Sequence, residues 1–264
     1  MSSPLEFGPK GNRWYFDRDS RTYDLTRGHQ PALRVSVSRT PSDTSVLVSP
    51  GTTALVIVDM QNLFLDPKCG SHPSGLRAAG KIEEVIARCR ELGVQVIWLN
   101  WGLEEDDLPS LPAGLQRNFT RSLIDSTYSA MRIGLGADLG QGMGKTLMAG
   151  EWNSAIWPPL AAVASTEDIF CTKNRLSGLW DKEQPLWKHL AKSQITTLMF
   201  AGIQTDQCVL STLMDAYSAG WDCILIDDCC ATTTEGAQEV CARNVSITYG
   251  FTVGSRSFLL ASEQ

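Results

Sequence analysis

The chain has 264 residues, 43% of them apolar, so it can bury a sizeable core in one large α/β domain with an extension, or in two small domains. A net charge of −6 argues against a nucleic-acid or anionic-membrane surface, and no apolar run approaches the ~20 residues needed to span a bilayer. The eight cysteines are scattered, with Cys229 and Cys230 adjacent and none in a CxxC pair; residues 1–10 carry no apolar leader. These features predict reduced thiols and a cytoplasmic protein.

Residues 1–50 are polar, with interleaved charges and aromatics such as Arg13-Trp14-Tyr15-Phe16-Asp17-Arg18, and are punctuated by Pro4, Pro9, Pro31, Pro41 and Pro50. No helical period persists, so they are expected to form an irregular N-terminal arm with at most a short strand near 33–37. Its aromatics would pack on its own domain or on a neighbouring subunit. Residues 51–264 are expected to form the main domain.

An apolar run at 53–58, ending in Asp59, reads as a buried parallel strand. Apolar side chains at helical spacing over 76–92 stop at Gly93, and 94–99 is a second strand, giving a right-handed βαβ unit. Residues 100–165 are glycine-rich and irregular, and are expected to hold short helices and a lid-like segment. Strands then follow at 168–172, 195–201, 223–226 and 245–249, interleaved with helices at 185–192, 207–219 and 234–244. This alternation predicts a doubly wound, mainly parallel six-stranded α/β sheet with helices on both faces, Rossmann-like in plan.

In an open parallel sheet, ligands bind outside the carboxyl ends of the strands, where Asp59, Lys173 and Cys208 all fall. Taken singly, each has an ordinary explanation. An aspartate there is often a cap, a lysine is usually a solvated charge, and a cysteine opening a helix is usually a small buried hydrophobe. Their conjunction at equivalent edges points instead to nucleophilic chemistry. Cys208 is expected near the first turn of a helix, where unpaired N–H groups and the dipole favour thiolate.

The segments Val56-Ile57-Val58-Asp59-Met60-Gln61-Asn62, Lys173-Asn174-Arg175-Leu176-Ser177-Gly178 and Gly202-Ile203-Gln204-Thr205-Asp206-Gln207-Cys208-Val209 resemble the three signatures of the isochorismatase-like cysteine hydrolases. The resemblance runs from about residue 53 to 249 and leaves the first fifty residues outside. It implies the isochorismatase-like hydrolase fold, with Asp59 as general base, Cys208 as the nucleophile forming a thioester, and Lys173 holding both electrostatically. It further implies a cis peptide at Ile203–Gln204 and an oxyanion hole built from the backbone N–H groups of Gln204 and Cys208. No cofactor is implied, and a homodimer or homotetramer is expected.

Residues 97–102 and 149–152 look like the corresponding pieces of ureidoacrylate amidohydrolases. Phe64, Asn100, Trp101, Trp152, Arg175 and Leu176 are accordingly expected to contact a small-molecule substrate. Leu176 stands where many relatives have tyrosine, and Trp101 and Gln204 stand where asparagine and alanine are expected. The expected reaction is hydrolysis of a linear C–N bond in an amide or ureido compound. Hydrolysis of isochorismate, a vinyl ether, is the enzymatic alternative, and a catalytically degenerate binding or effector protein is the non-enzymatic one. Two other motifs fail. Gly140-Gln141-Gly142-Met143-Gly144-Lys145-Thr146 imitates a phosphate loop, but its required first glycine is Leu139. His29, His72 and His189 have no ligand-like spacing, so no metal site is expected.

Overall fold

The computed structural model describes residues 3–39 and 44–264; Pro41 of the arm lies outside them. The first strands, β1 (Leu5–Phe7), β2 (Trp14–Asp17), β3 (Thr22–Asp24), β4 (Leu33–Ser36) and β5 (Ser45–Val48), are each three or four residues long. Together with the C-terminal β12 (Ser262–Glu263) they form a mixed sheet in the order β1-β2-β3-β5-β4-β12. The arm is therefore strand-built and not irregular. Its strands are too short to establish a period, and two pairings, β3 with β5 and β4 with β12, join segments distant in sequence.

The main sheet contains β6 (Thr53–Val58), β7 (Gln95–Trp101), β8 (Ile169–Lys173), β9 (Thr197–Ile203), β10 (Asp222–Ala231) and β11 (Phe251–Val253), ordered β11-β10-β9-β6-β7-β8. Every neighbouring pair in it is parallel. Around it lie α1 (Asn62–Leu65), α2 (Pro73–Leu92), α3 (Ala113–Phe119), α4 (Pro158–Ala161), α5 (Pro185–Lys192), α6 (Leu210–Ala219), α7 (Ala237–Asn244) and α8 (Ser255–Leu259). None of the described helices is long and apolar enough to cross a membrane.

Strand alternation divides the core in two. On β6, Leu55 and Ile57 join Ile82, Val85, Ile86 and Cys89 of α2, while Ala54, Val56 and Val58 join Leu186 and Leu190 of α5 and Leu213 and Ala216 of α6. The small N-terminal sheet closes over the first of these clusters through Leu33, Val35, Val46 and Val48. It is pinned by a nearly buried ion pair: Arg27 reaches both oxygens of Asp222 at 2.7 and 2.8 Å, and the Trp14 indole donates to the same carboxylate at 2.8 Å. The described arm thus packs on its own domain.

One expected strand is displaced. Residues 245–249, rich in β-branched side chains, form a π turn that continues α7, and the strand begins only at Phe251. Val245 is buried but Ile247 is 60% exposed, so alternate side chains of that stretch do not share a buried strand face. Gly250 allows the crossing, because a Cβ there would lie 2.0 Å from the Cys223 carbonyl oxygen. The segment expected as one helix at 207–219 is also divided, into a π turn over Thr205–Val209 followed by α6.

The sheet reverses its winding between β6 and β9, where Val58 sits in register with Gly202. This is the topological switch point, where the carboxyl ends of two strands leave a crevice. Gly202 has φ 117°, and a Cβ on it would lie 2.1 Å from the Val58 oxygen. Gly202→Ala is therefore expected to destabilise the fold by about 3 kcal/mol or more, since it adds overpacking to a backbone conformation that L-residues avoid. Urea denaturation measures this directly, and a midpoint unchanged from wild type would show that β6 and β9 can separate without cost.

Candidate active site

Asp59 is the first residue past β6 and adopts φ 53°; its N–H donates to the Leu99 oxygen at 2.9 Å. Lys173 is the last residue of β8. Its Nζ lies 3.0 Å from Asp59 Oδ2, and the two side chains are 0% and 1% exposed. The ammonium also stands 3.9 Å from the Trp101 ring centroid and donates to the Arg175 carbonyl at 3.2 Å. Gln61 fastens the end of β7 beside them, donating to the Trp101 oxygen at 2.8 Å and accepting from the Trp101 N–H at 3.1 Å.

Cys208, 5% exposed, lies in the π turn that follows β9. Between β9 and that turn, the Ile203–Gln204 peptide is cis. Asp59 and Cys208 both line one partly open cavity of about 210 Å³. The three residues placed separately along the chain thus meet at the switch point, each carried there by a different strand.

The electrostatics differ from the sequence expectation. Burial pushes the Cys208 thiol well up, and the neighbouring Asp59 carboxylate adds to that, with Lys173 opposing both. The turn at its position does not yield a resting thiolate, because removal from water outweighs it. Burial also raises Asp59, against the pull of Lys173. Lys173 is joined in this by the Cys208 thiol and the Trp101 backbone, both of which favour the Asp59 carboxylate. The arrangement suits a thiol that keeps its proton until it reacts and a carboxylate ready to accept it.

Of the residues expected to contact substrate, Phe64, Trp101 and Leu176 line the cavity. Asn100, Trp152 and Arg175 do not. Asn100 alternates with Trp101 on β7 and so points to the other face of the sheet. Trp152 faces Lys68, whose Nζ is 5.3 Å from its ring, and its carbonyl accepts from Asn62. Arg175 lies over Trp180 at 4.9 Å and donates to the Asn174 and Ser110 carbonyls, in a groove outside the cavity.

The isochorismatase domain model matches residues 53–255. The chain belongs to the isochorismatase family. The match leaves the small N-terminal sheet outside the family domain. A curated relative, the ureidoacrylate amidohydrolase RutB of Cronobacter sakazakii, is 28% identical over 232 residues, covering 84% of this chain and 94% of its own. The enzyme of the same name from Methylorubrum extorquens is 29% identical over 213 residues, covering 76% of this chain and 78% of its own. Among solved structures, a cysteine hydrolase from Pseudomonas syringae pv. phaseolicola superposes with a TM-score of 0.63 at 17% identity, covering 85% of this chain and 95% of its own. N-carbamoylsarcosine amidase from Thermoplasma acidophilum gives 0.57 at 21% identity, covering 77% of this chain and 96% of its own. These structures share the fold.

Within this family frame, the cavity includes residues that sequence reasoning passed over, among them His72, Asn118, Arg132, Gln207 and Thr233. No motif marks them. In the sequence His72 is weighed only as a metal ligand, and Asn118 and Arg132 lie within the stretch read as short helices and a lid. His72 caps α2, its Nδ1 accepting from the Gly75 N–H at 3.0 Å. Its Nε2 must then carry the proton it donates to Gln204 Oε1, 3.1 Å away, an oxygen that also accepts from the Thr233 N–H at 3.0 Å. The Gln204 amide is thereby oriented beside Cys208. Among the described residues, no three His, Cys, Asp or Glu side chains are grouped as a metal site.

Burial lowers the His72 pKa. A histidine whose folded pKa lies below its unfolded value, about 6.5, is fully compatible with folding above that pH and costs stability as the pH falls below it. His189, also lowered by burial, acts in the same sense. His72→Asn keeps a capping acceptor and removes the titration. Its melting temperature is expected to fall less steeply than that of wild type between about pH 6.5 and 5. Parallel acid limbs for the two proteins would show that His72 does not titrate on folding.

Proposed function

We propose that this chain is a cysteine amidohydrolase that cleaves a linear C–N bond in a small amide or ureido compound through a Cys208 thioester. Cys208 Sγ attacks the substrate carbonyl carbon while its proton passes to Asp59. The carbonyl electron pair moves onto oxygen, facing the backbone N–H groups of Gln204 and Cys208. Collapse of this adduct breaks the C–N bond, and Asp59 returns the proton to the departing nitrogen. Water then attacks the thioester and gives a proton to Asp59. The C–S bond breaks, and the thiolate recovers its proton from Asp59. Lys173 holds the carboxylate in place through their ion pair.

The observation that carries this reading is the buried Asp59–Lys173 pair, at 3.0 Å, sharing a site with Cys208 at the switch point of the sheet. Its support is the largely apolar cavity, together with relatives named as amidohydrolases. Trp101 adds a buried indole N–H with no acceptor, suited to a substrate oxygen. Acid quenching during turnover of a panel of amides and ureides, followed by peptide mass mapping, tests the scheme. The expected product is an acyl or carbamoyl adduct on Cys208; an adduct on any of the other cysteines would move the nucleophile elsewhere.

A further inference from the structure

The wall of the cavity contains one cationic side chain, Arg132, and its charge is unmatched. Among the described residues, the one carboxylate in that wall is Asp59, which is already paired with Lys173 at 3.0 Å. Arg132 is half-buried, and its guanidinium donates to the Asn118 carbonyl at 3.2 Å and to Asn118 Oδ1 at 2.8 Å, both neutral acceptors. Arg121, which lies over Tyr128 at 4.9 Å, adds a like charge, opposed only by the weaker influence of Tyr128. The acid of the intervening turn, Asp125, is exposed, and its carboxylate is taken up by the N–H and hydroxyl of Thr127.

Burial and Arg121 both disfavour the charge on Arg132. A guanidinium held among Phe119, Met131 and Leu176 with only amide partners keeps fork donors free for a planar anion. No second cationic side chain lines the cavity among the described residues, so one negative charge is matched and a dianion would not be. A volume of about 210 Å³ restricts the guest to a short molecule.

We propose that Arg132 is a substrate-binding residue and that the substrate is a short amide or ureido compound carrying a carboxylate, which docks on the guanidinium while its scissile carbonyl faces Cys208. The proposal rests on the amidohydrolase reading above and adds the charge class of the substrate. Sequence periodicity had no way to mark Arg132, because its importance lies in the absence of an acid around it.

The test uses matched pairs that differ in charge. Ureidoacetate, 3-ureidopropionate and succinamate are compared with N-(2-hydroxyethyl)urea, N-(3-hydroxypropyl)urea and 4-hydroxybutanamide, with ammonia release as the readout. Wild type is expected to favour at least one acid over its alcohol by about tenfold or more in kcat/KM, the size of one charge-assisted contact. Arg132→Gln is expected to raise KM for that acid about ten- to a hundredfold, with the acid-to-alcohol ratio collapsing toward one, and Arg132→Lys to restore part of it. The proposal is overturned if wild type shows no acid preference, or if Arg132→Gln weakens acids and alcohols alike at an unchanged melting temperature. Either result leaves the amidohydrolase reading standing. Absence of turnover on every compound overturns both. Should Arg132→Gln melt early, Arg132→Lys carries the same comparison with the charge kept and the fork removed.

Discussion

Replacing Cys208 with alanine is expected to reduce kcat by about 10⁴-fold or more on any amide or ureide that wild type hydrolyses, while leaving the fold intact. In the proposed scheme the substitution removes the atom that attacks the substrate carbonyl. The neighbouring Cys69, also in the wall, is a poor substitute, because burial and the Asp66 carboxylate push its thiol up to about 11. Stability should change little, since Cys208 contributes a small buried thiol whose ionised form the site disfavours. Turnover assays and thermal melts check both halves. Residual activity above about 1% of wild type would rule out the thioester route and favour direct attack of water activated by Asp59.

Lys173→Met is expected to fail differently, losing both activity and about 3–5 kcal/mol of stability, because it leaves the Asp59 carboxylate buried without its counter-ion. The loss should depend on pH in a definite sense. Lys173 lowers the Asp59 pKa, so its removal lets burial raise that pKa further. A carboxyl whose folded pKa lies above its unfolded value, about 3.9, is fully stable below that pH and loses stability as the pH rises toward the folded value. The variant should therefore be least impaired near pH 4 and progressively worse toward neutrality. The double variant Asp59→Asn, Lys173→Met removes both charges and should recover much of the lost stability with none of the activity. Urea denaturation across pH decides this. A single variant as stable as wild type at pH 7 would show that Asp59 is held by something other than its ion pair.

These two variants separate roles that the residues' positions alone do not. Cys208 and Lys173 lie at comparable depth, yet only one of them is an electrostatic support for the fold. Arg132 represents a third kind of role. It is half-buried with neutral partners, so changing it should alter which substrates bind before it alters stability.

Much of the fold was legible because its signals are local. Strand β6 runs over the expected 53–58, and α5 over the expected 185–192; both are strongly patterned segments with clear ends. Where the signal was one of composition alone, it misled. The β-branched stretch 245–249 forms a π turn in which Val245 is buried and Ile247 exposed, and the strand forms beyond Gly250. The N-terminal arm looked irregular because its strands are short and draw their stability from distant partners, Asp222 and β12 among them.

What the sequence determined by itself was five of the six strands of the main sheet and the helices between them, the order of the motifs, and the reactive residues at the ends of three of those strands, since each depends on side-chain pattern within a few positions. The tertiary structure decided which of those residues meet. It brought Asp59 within an ion pair of Lys173, placed Cys208 beside them, and turned Asn100, Trp152 and Arg175 away from the cavity that Phe64, Trp101 and Leu176 line. It also set the electrostatics around Cys208, where burial pushes the thiol up, because desolvation is a property of the assembled site and not of a helix end. The same holds for Arg132: an unmatched charge becomes visible only when every neighbour that could have matched it has been placed.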